Sequence, residues 1–312
     1  MLIRCCAWLG LIGATGLLVR GEARRAEPPK GVQVQRDLVY RVVQGKRLRL
    51  DLYSPEGTAP SRGWPLIVAI HGGGWRGGSK VDLEGMSSRF AQSGFVVASV
   101  DYRLSRPSYS SWPDNLDDVR ESVRWLRRHA GEYKIDPGRV VAFGSSAGGH
   151  LALHLGTNSE TGQANRTGSL EDSSEVQAVV DLYGPADLEL LYRHSPLGSI
   201  PVVMLMGNPP KTQAETRRYE DASPISHVTS RSAPTLLIHG RRDFLVPLEQ
   251  SETLAHKFSS NGVAHRLLVI DSARHGFHLN LTHRDLFPEV VSFLHNVLSP
   301  PRTIKDLAAS TH

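Results

Sequence analysis

The sequence predicts an α/β fold: a mostly parallel central sheet with an N-terminal antiparallel hairpin, helices on both faces and a small insertion after the sixth strand. Three observations carry this. Apolar runs alternate with helix-periodic segments from residue 65 to 298, the rhythm of a parallel sheet covered on both faces. Two stretches that alternate polar and apolar residues come first, as a hairpin with one wet face requires. Finally, Gly144-Ser145-Ser146-Ala147-Gly148 sits where an apolar run gives way to a helical one.

The hairpin takes Val32–Val43 and Arg47–Tyr53, joined by Gln44-Gly45-Lys46. Pro65–Ile70 and Phe95–Val100 are continuous apolar runs, which suit strands buried on both faces; so do Arg139–Phe143, Val176–Leu182, Pro234–Ile238 and Arg266–Ile270. Helical patterns fill the gaps: Val81–Gln92, Asn115–His129, Ala147–Leu155, Leu248–Phe258 and Asp285–Leu298. In the second of these, Leu116, Val119, Val123 and Leu126 recur at spacings of three and four. From Gly184 to Arg231 the rhythm stops for longer than an ordinary connection lasts, so this insertion (184–231) is expected to form a partial lid or a wall of the site.

Composition narrows the function. Of 312 residues, 40% are hydrophobic and 21% charged, an ordinary globular mixture. The net charge is +5, but the arginines are scattered singly and no basic run carries interleaved aromatics, which argues against a nucleic-acid partner. Residues 1–23 read as a signal peptide: one Arg, an apolar core from Cys5 to Val19, and small residues at the subsites before a cut after Ala23. That core is short for a membrane span, so an uncleaved anchor is the lesser alternative and no stable membrane association is expected after cleavage. The expected destination is secreted or periplasmic. Both cysteines, Cys5 and Cys6, leave with the leader, so the mature chain has neither disulfide nor thiolate. Residues 24–35 read as an entry linker, 36–298 as the domain and 299–312, with Pro300-Pro301, as a tail.

Gly-x-Ser-x-Gly at a strand-to-helix junction is a nucleophile elbow, which holds its serine in a strained turn above the sheet edge. The central residue is Ser146. His71-Gly72-Gly73-Gly74-Trp75 follows the run Leu66–Ile70 directly. Successive glycines leave backbone N–H groups uncovered, and such donors can hold an oxyanion. Gly73 and Gly74 are the candidates from this loop, with Ala147 of the elbow as the third donor. A serine hydroxyl needs a base. Among fourteen histidines, His275 stands in the loop after the last predicted strand, where it would hang over the elbow. His278 and His283 fall at a helix start, and His71 and His239 fit better as supports of loop backbone. Asp243, after the strand Pro234–Ile238, is the candidate acid. Asp271 competes, but it lies only four residues from His275 on the same loop. The order Ser146, Asp243, His275 is the one a nucleophile elbow leads one to expect. Trp75, Tyr102 and Trp112 are candidates to line a substrate subsite, with core packing as the alternative. Asp117-Asp118 reads as a solvated or capping helix start. No clustered His/Asp/Glu spacing suggests a metal, and no cofactor is expected.

With His71-Gly-Gly-Gly-Trp75, Asp101-Tyr102-Arg103-Leu104, Gly144-Ser-Ser-Ala-Gly-Gly149 and His239-Gly-x-x-Asp243-x-x-Val-Pro247 in hand, the chain resembles the α/β-hydrolase esterases. It is most similar to the BD-FAE-like branch (bifunctional feruloyl and acetyl-xylan esterases) near the hormone-sensitive-lipase family, from about residue 36 to 298. The resemblance implies a serine carboxylesterase with Ser146, Asp243 and His275 as triad and the glycine loop as oxyanion hole. The elbow departs from the commoner pattern in having Ser145 in place of Asp, and the long N-terminal cap of the hormone-sensitive-lipase group is absent. An open cleft follows, suited to small-molecule or polysaccharide esters. Acetyl, feruloyl and short-chain acyl groups stay open, as does the oligomeric state. Rival readings are an arylformamidase or a prolyl-oligopeptidase-type peptidase on the same fold, and a binding protein that has lost catalysis.

Overall fold

The computed structural model describes residues 27–157 and 169–299. The predicted leader, its cleavage site and the tail from residue 300 on lie outside the described residues. The chain opens with β1 (Val32–Val43) and β2 (Lys46–Pro55), paired antiparallel. The boundary drawn at residue 36 falls inside β1: Val32 is 4% exposed and already packs in the core, so the domain starts by Val32. Then come β3 (Trp64–Ile70), a 3-10 turn (Lys80–Leu83) running into α1 (Glu84–Gln92), β4 (Val96–Val100), α2 (Asp114–Arg128), the short α3 (Ala130–Tyr133), β5 (Ile135–Ser145) and α4 (Ala147–Thr157). β6 (Ala178–Leu182) ends where the insertion begins.

The insertion lacks strands but not order. It holds α5 (Leu188–His194), α6 (Pro196–Met206), α7 (Gln213–Asp221) and a 3-10 turn at Pro224–His227. Capping drives these starts: Asp187, Ser195 and Thr212 each accept an N–H from the first turn of their helix. Thereafter β7 (Thr235–Gly240), α8 (Glu249–Ser260), β8 (His265–Ile270), a small hairpin of β9 (Asn280–Leu281) and β10 (Arg284–Asp285), and α9 (Phe287–Leu298) complete the fold.

The main sheet has eight strands in the order β1-β2-β4-β3-β5-β6-β7-β8, and it is parallel from β4 onward. Fully buried strands such as β4 are apolar on both faces because helices cover both. One core layer lies under α2, α4 and α8, and the other under α1 and α9. The parallel order brings the carboxyl ends of β3, β5, β7 and β8 to one edge, which is where loops can converge on a site.

Candidate active site

Ser146 occupies the turn between β5 and α4 at φ 53°, a left-handed conformation that costs a non-glycine residue energy. Close approach fixes this turn. A Cβ on Gly148 would fall 2.1 Å from the Ile70 carbonyl oxygen, so only glycine lets α4 sit against the end of β3. Ser146 N–H donates to the Leu182 carbonyl at 2.9 Å, tying the elbow to β6.

His275 comes from the loop after β8 and Asp243 from the loop after β7. His275 Nδ1 lies 2.7 Å from Asp243 Oδ2, and Nε2 lies 2.9 Å from Ser146 Oγ. An ionised carboxylate only accepts, so Nδ1 carries the proton and donates; in the neutral ring, Nε2 then accepts from the serine hydroxyl. Asp243 is buried, and its Oδ1 accepts the N–H groups of Leu245 at 3.0 Å and Val246 at 2.8 Å. Burial pushes the carboxyl up, but nearby His239 and the hydrogen bond from His275 outweigh it and hold the group at about 2. The competitor Asp271 is exposed and pairs with Arg241 at 2.7 Å instead. His278 and His283 are exposed and stand outside this relay.

The glycine loop lies against the elbow: a Cβ on Gly72 would stand 3.4 Å from Ser146 Cβ. Gly73 has φ 112° and Gly74 φ 59°, and their N–H groups donate to nothing among the described residues. Ala147 opens α4, where a first-turn N–H has no carbonyl in its own helix and sits at the positive end of the dipole. His71 supports the loop: its Nδ1–H donates to Gly72 O at 2.7 Å. His239 braces Asp243's loop by donating Nε2–H to Val246 O at 2.8 Å, with Nδ1 near Ser251 Oγ at 2.7 Å.

The three candidate subsite aromatics are corrected by their burial. Tyr102 is 2% exposed, stacks on His71 at 4.3 Å and donates its hydroxyl to the His71 carbonyl. Trp75 is 2% exposed and donates Nε1–H to His150. Trp112 packs on His150 and His154. All three are core residues: Tyr102 and Trp75 tie the glycine loop to its surroundings through His71 and His150, and Trp112 packs on α4. The expectation for Asp118 is also corrected. It is fully buried, accepting from Arg103 Nε at 2.7 Å and Arg41 at 2.7 Å, so it anchors the loop after β4 rather than meeting water.

Two contributors escaped the sequence reading. His150 lies four residues after Ser146 on α4. Its Nε2–H donates to Ala222 O at 2.7 Å, which leaves Nδ1 to accept Trp75 Nε1–H at 3.3 Å. One ring thus ties α4 to the glycine loop and to the end of α7. Burial pushes it down to about 4. Asp181, at the end of β6, is buried, and Oδ1 accepts Gly184 N–H at 3.0 Å; burial pushes its carboxyl up to about 7. The signal for His150 was its helical spacing from the serine. For Asp181, nothing in an apolar strand marked its function.

The BD-FAE family model matches residues 50–258, which takes in Ser146 and Asp243. Over 295 residues the chain is 29% identical to esterase LipC of Mycobacterium tuberculosis, covering 89% of this chain and 70% of that one. It is 29% identical over 237 residues to the probable carboxylic ester hydrolase LipM of the same organism, covering 74% of this chain and 54% of that one, so it spans about half the length of that relative. Among solved structures it is similar to a truncated carbohydrate esterase from gut microbiota, with TM-score 0.73 and 25% identity, over 86% of this chain and 97% of that one. Thermogutta terrifontis esterase 2 superposes with TM-score 0.68 and 28% identity, over 90% and 99% of the two chains.

Proposed function

We propose, for a chain that belongs to the BD-FAE family and has the α/β-hydrolase fold, that it is a serine carboxylesterase cleaving short-chain esters through an acyl-enzyme. The observation that carries this reading is the unbroken Ser146–His275–Asp243 relay, with links of 2.9 and 2.7 Å. His275 Nε2 takes the proton of Ser146 as Oγ attacks the acyl carbon, while Asp243 keeps the imidazole oriented and stabilises its charged form. The N–H groups of Gly73, Gly74 and Ala147 receive the oxyanion, each contributing about 3 kcal/mol to the transition state. The C–O bond to the alcohol breaks, and the leaving oxygen takes the proton from His275. Water then gives a proton to His275 as its oxygen attacks the acyl carbon; the bond to Ser146 Oγ breaks, His275 returns the proton to that oxygen, and the acid departs. The chemistry needs no metal or cofactor.

A carbohydrate-linked ester is the second reading, favoured by the likeness to the gut carbohydrate esterase. Nitrophenyl esters of increasing chain length, beside acetylated xylan and methyl ferulate, separate the two. The proposal expects turnover of the short nitrophenyl esters that disappears in Ser146→Ala; undiminished turnover in that variant overturns it. Export follows from the leader read in residues 1–23, and mass analysis of exported protein should give a chain starting at Arg24.

A further inference from the structure

A cavity of about 290 Å³ opens beside the nucleophile, between the start of α1, the end of β6 and the loop that follows His275. Most of its wall is apolar: Leu83, Met86, Phe143, Leu182, Phe277 and Leu279, with the exposed His278 at its rim. Gly72 and Ser145 close it toward Ser146. Tyr183 joins it to the base. Its ring lies 4.9 Å from the His275 imidazole and 4.8 Å from the Phe277 ring, and its hydroxyl donates to the Phe277 carbonyl at 2.8 Å. The opposite wall of the site is built differently, since there a Cβ on Gly74 would meet Pro201 of α6 at 3.2 Å.

Proton transfer decides which half of an ester faces this cavity. His275 returns the serine proton to the leaving oxygen, so the alcohol half must lie on the imidazole's side. Tyr183 and Phe277 put the cavity on that side. We propose that it receives the substituent of the alcohol half and selects compact apolar alcohols, aromatic or branched; this rests on the esterase reading above. Its size is at the lower end of the range for small-molecule sites. A sugar placed here would bury hydroxyls against hydrocarbon, with the Tyr183 proton already committed to Phe277, and unpaired buried hydroxyls are costly. Ser145 matters because it puts a neutral hydroxyl into the wall. The carboxylate at the mouth, Asp82, is exposed and accepts Ser79 N–H at 3.0 Å.

Two variants test this. Gly85 lines the cavity, and a Cβ there meets nothing within 4 Å, so Gly85→Leu fills space without backbone strain. Ser145→Asp puts a charge into the same wall. The readout is a ratio of kcat/KM values on one preparation, which cancels any loss of folded protein. Benzyl acetate against ethyl acetate reports the alcohol half, and ethyl phenylacetate against ethyl acetate reports the acyl half. The wild-type alcohol ratio should exceed about 10, the scale of discrimination a hydrophobic pocket supplies. Both variants should lower it at least about fivefold and leave the acyl ratio in place. An unchanged alcohol ratio, a fall in the acyl ratio in its place, or an acetylated methyl xyloside outrunning benzyl acetate overturns the proposal. If the wild type cleaves these esters through Ser146 and the variants leave the alcohol ratio alone, only the cavity assignment fails. If no ester is cleaved, the esterase reading itself fails.

Discussion

Replacing His150 by Gln tests whether the ring behind the nucleophile holds the glycine loop as a neutral strut. His150 is fully buried, donates to Ala222 O and accepts from Trp75. Protonation would make Nδ1 a donor facing another donor, so the folded protein resists it, and burial pushes the group down to about 4. The folded value lies below the unfolded one of about 6.5. The unfolded chain therefore binds more protons between those limits, and the stability the neutral ring contributes is present above pH 6.5 and fades as pH falls toward 4. At about 1.4 kcal/mol per pH unit, the fall from 6.5 to 5 removes about 2 kcal/mol, and the full shift about 3 kcal/mol. Gln offers a donor and an acceptor but does not titrate. Melting curves of wild type and His150→Gln from pH 8 to pH 5 should therefore converge as acid is added. At about 2–4 °C per kcal/mol, the gap between the two Tm values should close by about 4–8 °C. His154 packs edge-on against His150 at 4.8 Å and also donates to Ala222 O, at 3.0 Å, so the same comparison is repeated in a His154→Gln background. Parallel curves would refute the strut.

Other outcomes follow from the same contacts. Asp243→Asn should lower kcat by about 10⁴-fold through the wrong imidazole tautomer, whereas Asp271→Asn, which breaks only an exposed pair with Arg241, should stay within a few-fold; steady-state kinetics on one ester compares them. Because the Asp243 carboxyl is held at about 2, it stays ionised across the working range, and kcat/KM against pH should show no step from its protonation above about pH 4. Gly148→Ala drives a Cβ to 2.1 Å from the Ile70 carbonyl oxygen and forces α4 away from β3; it should cost about 1–3 kcal/mol in thermal or urea unfolding and about 10²-fold in kcat, since the serine moves relative to the glycine loop.

Much of the fold was legible because a doubly covered parallel sheet writes itself as apolar runs separated by helix periods. The hairpin, the elbow and the order of Ser146, Asp243 and His275 needed only local signals. What stayed hidden depended on packing in three dimensions. β5 begins at Ile135, four residues before the predicted start, because Pro137 and Gly138 read as breakers while the chain absorbs them in a register shift between Trp64 and Leu66 of β3. α6 was invisible because Pro196-Leu-Gly-Ser-Ile-Pro-Val-Val-Met-Leu-Met is apolar on nearly every face and carries an internal proline, so no period stands out. The aromatics Trp75, Tyr102 and Trp112 were placed at the correct edge, but sequence spacing does not tell whether a loop side chain points into a cleft or down into the core. His150 and Asp181 sit on elements read correctly, and their importance lies in partners tens of residues away.

The central claim is that Ser146 is a nucleophile activated by His275. Titration with a fluorophosphonate, followed by peptide mass mapping, tests it most directly. One adduct per chain on Ser146, formed rapidly in the wild type and slowed by orders of magnitude in His275→Ala, is the predicted result. No adduct, or labelling on Ser146 that proceeds equally fast without the imidazole, would contradict the account.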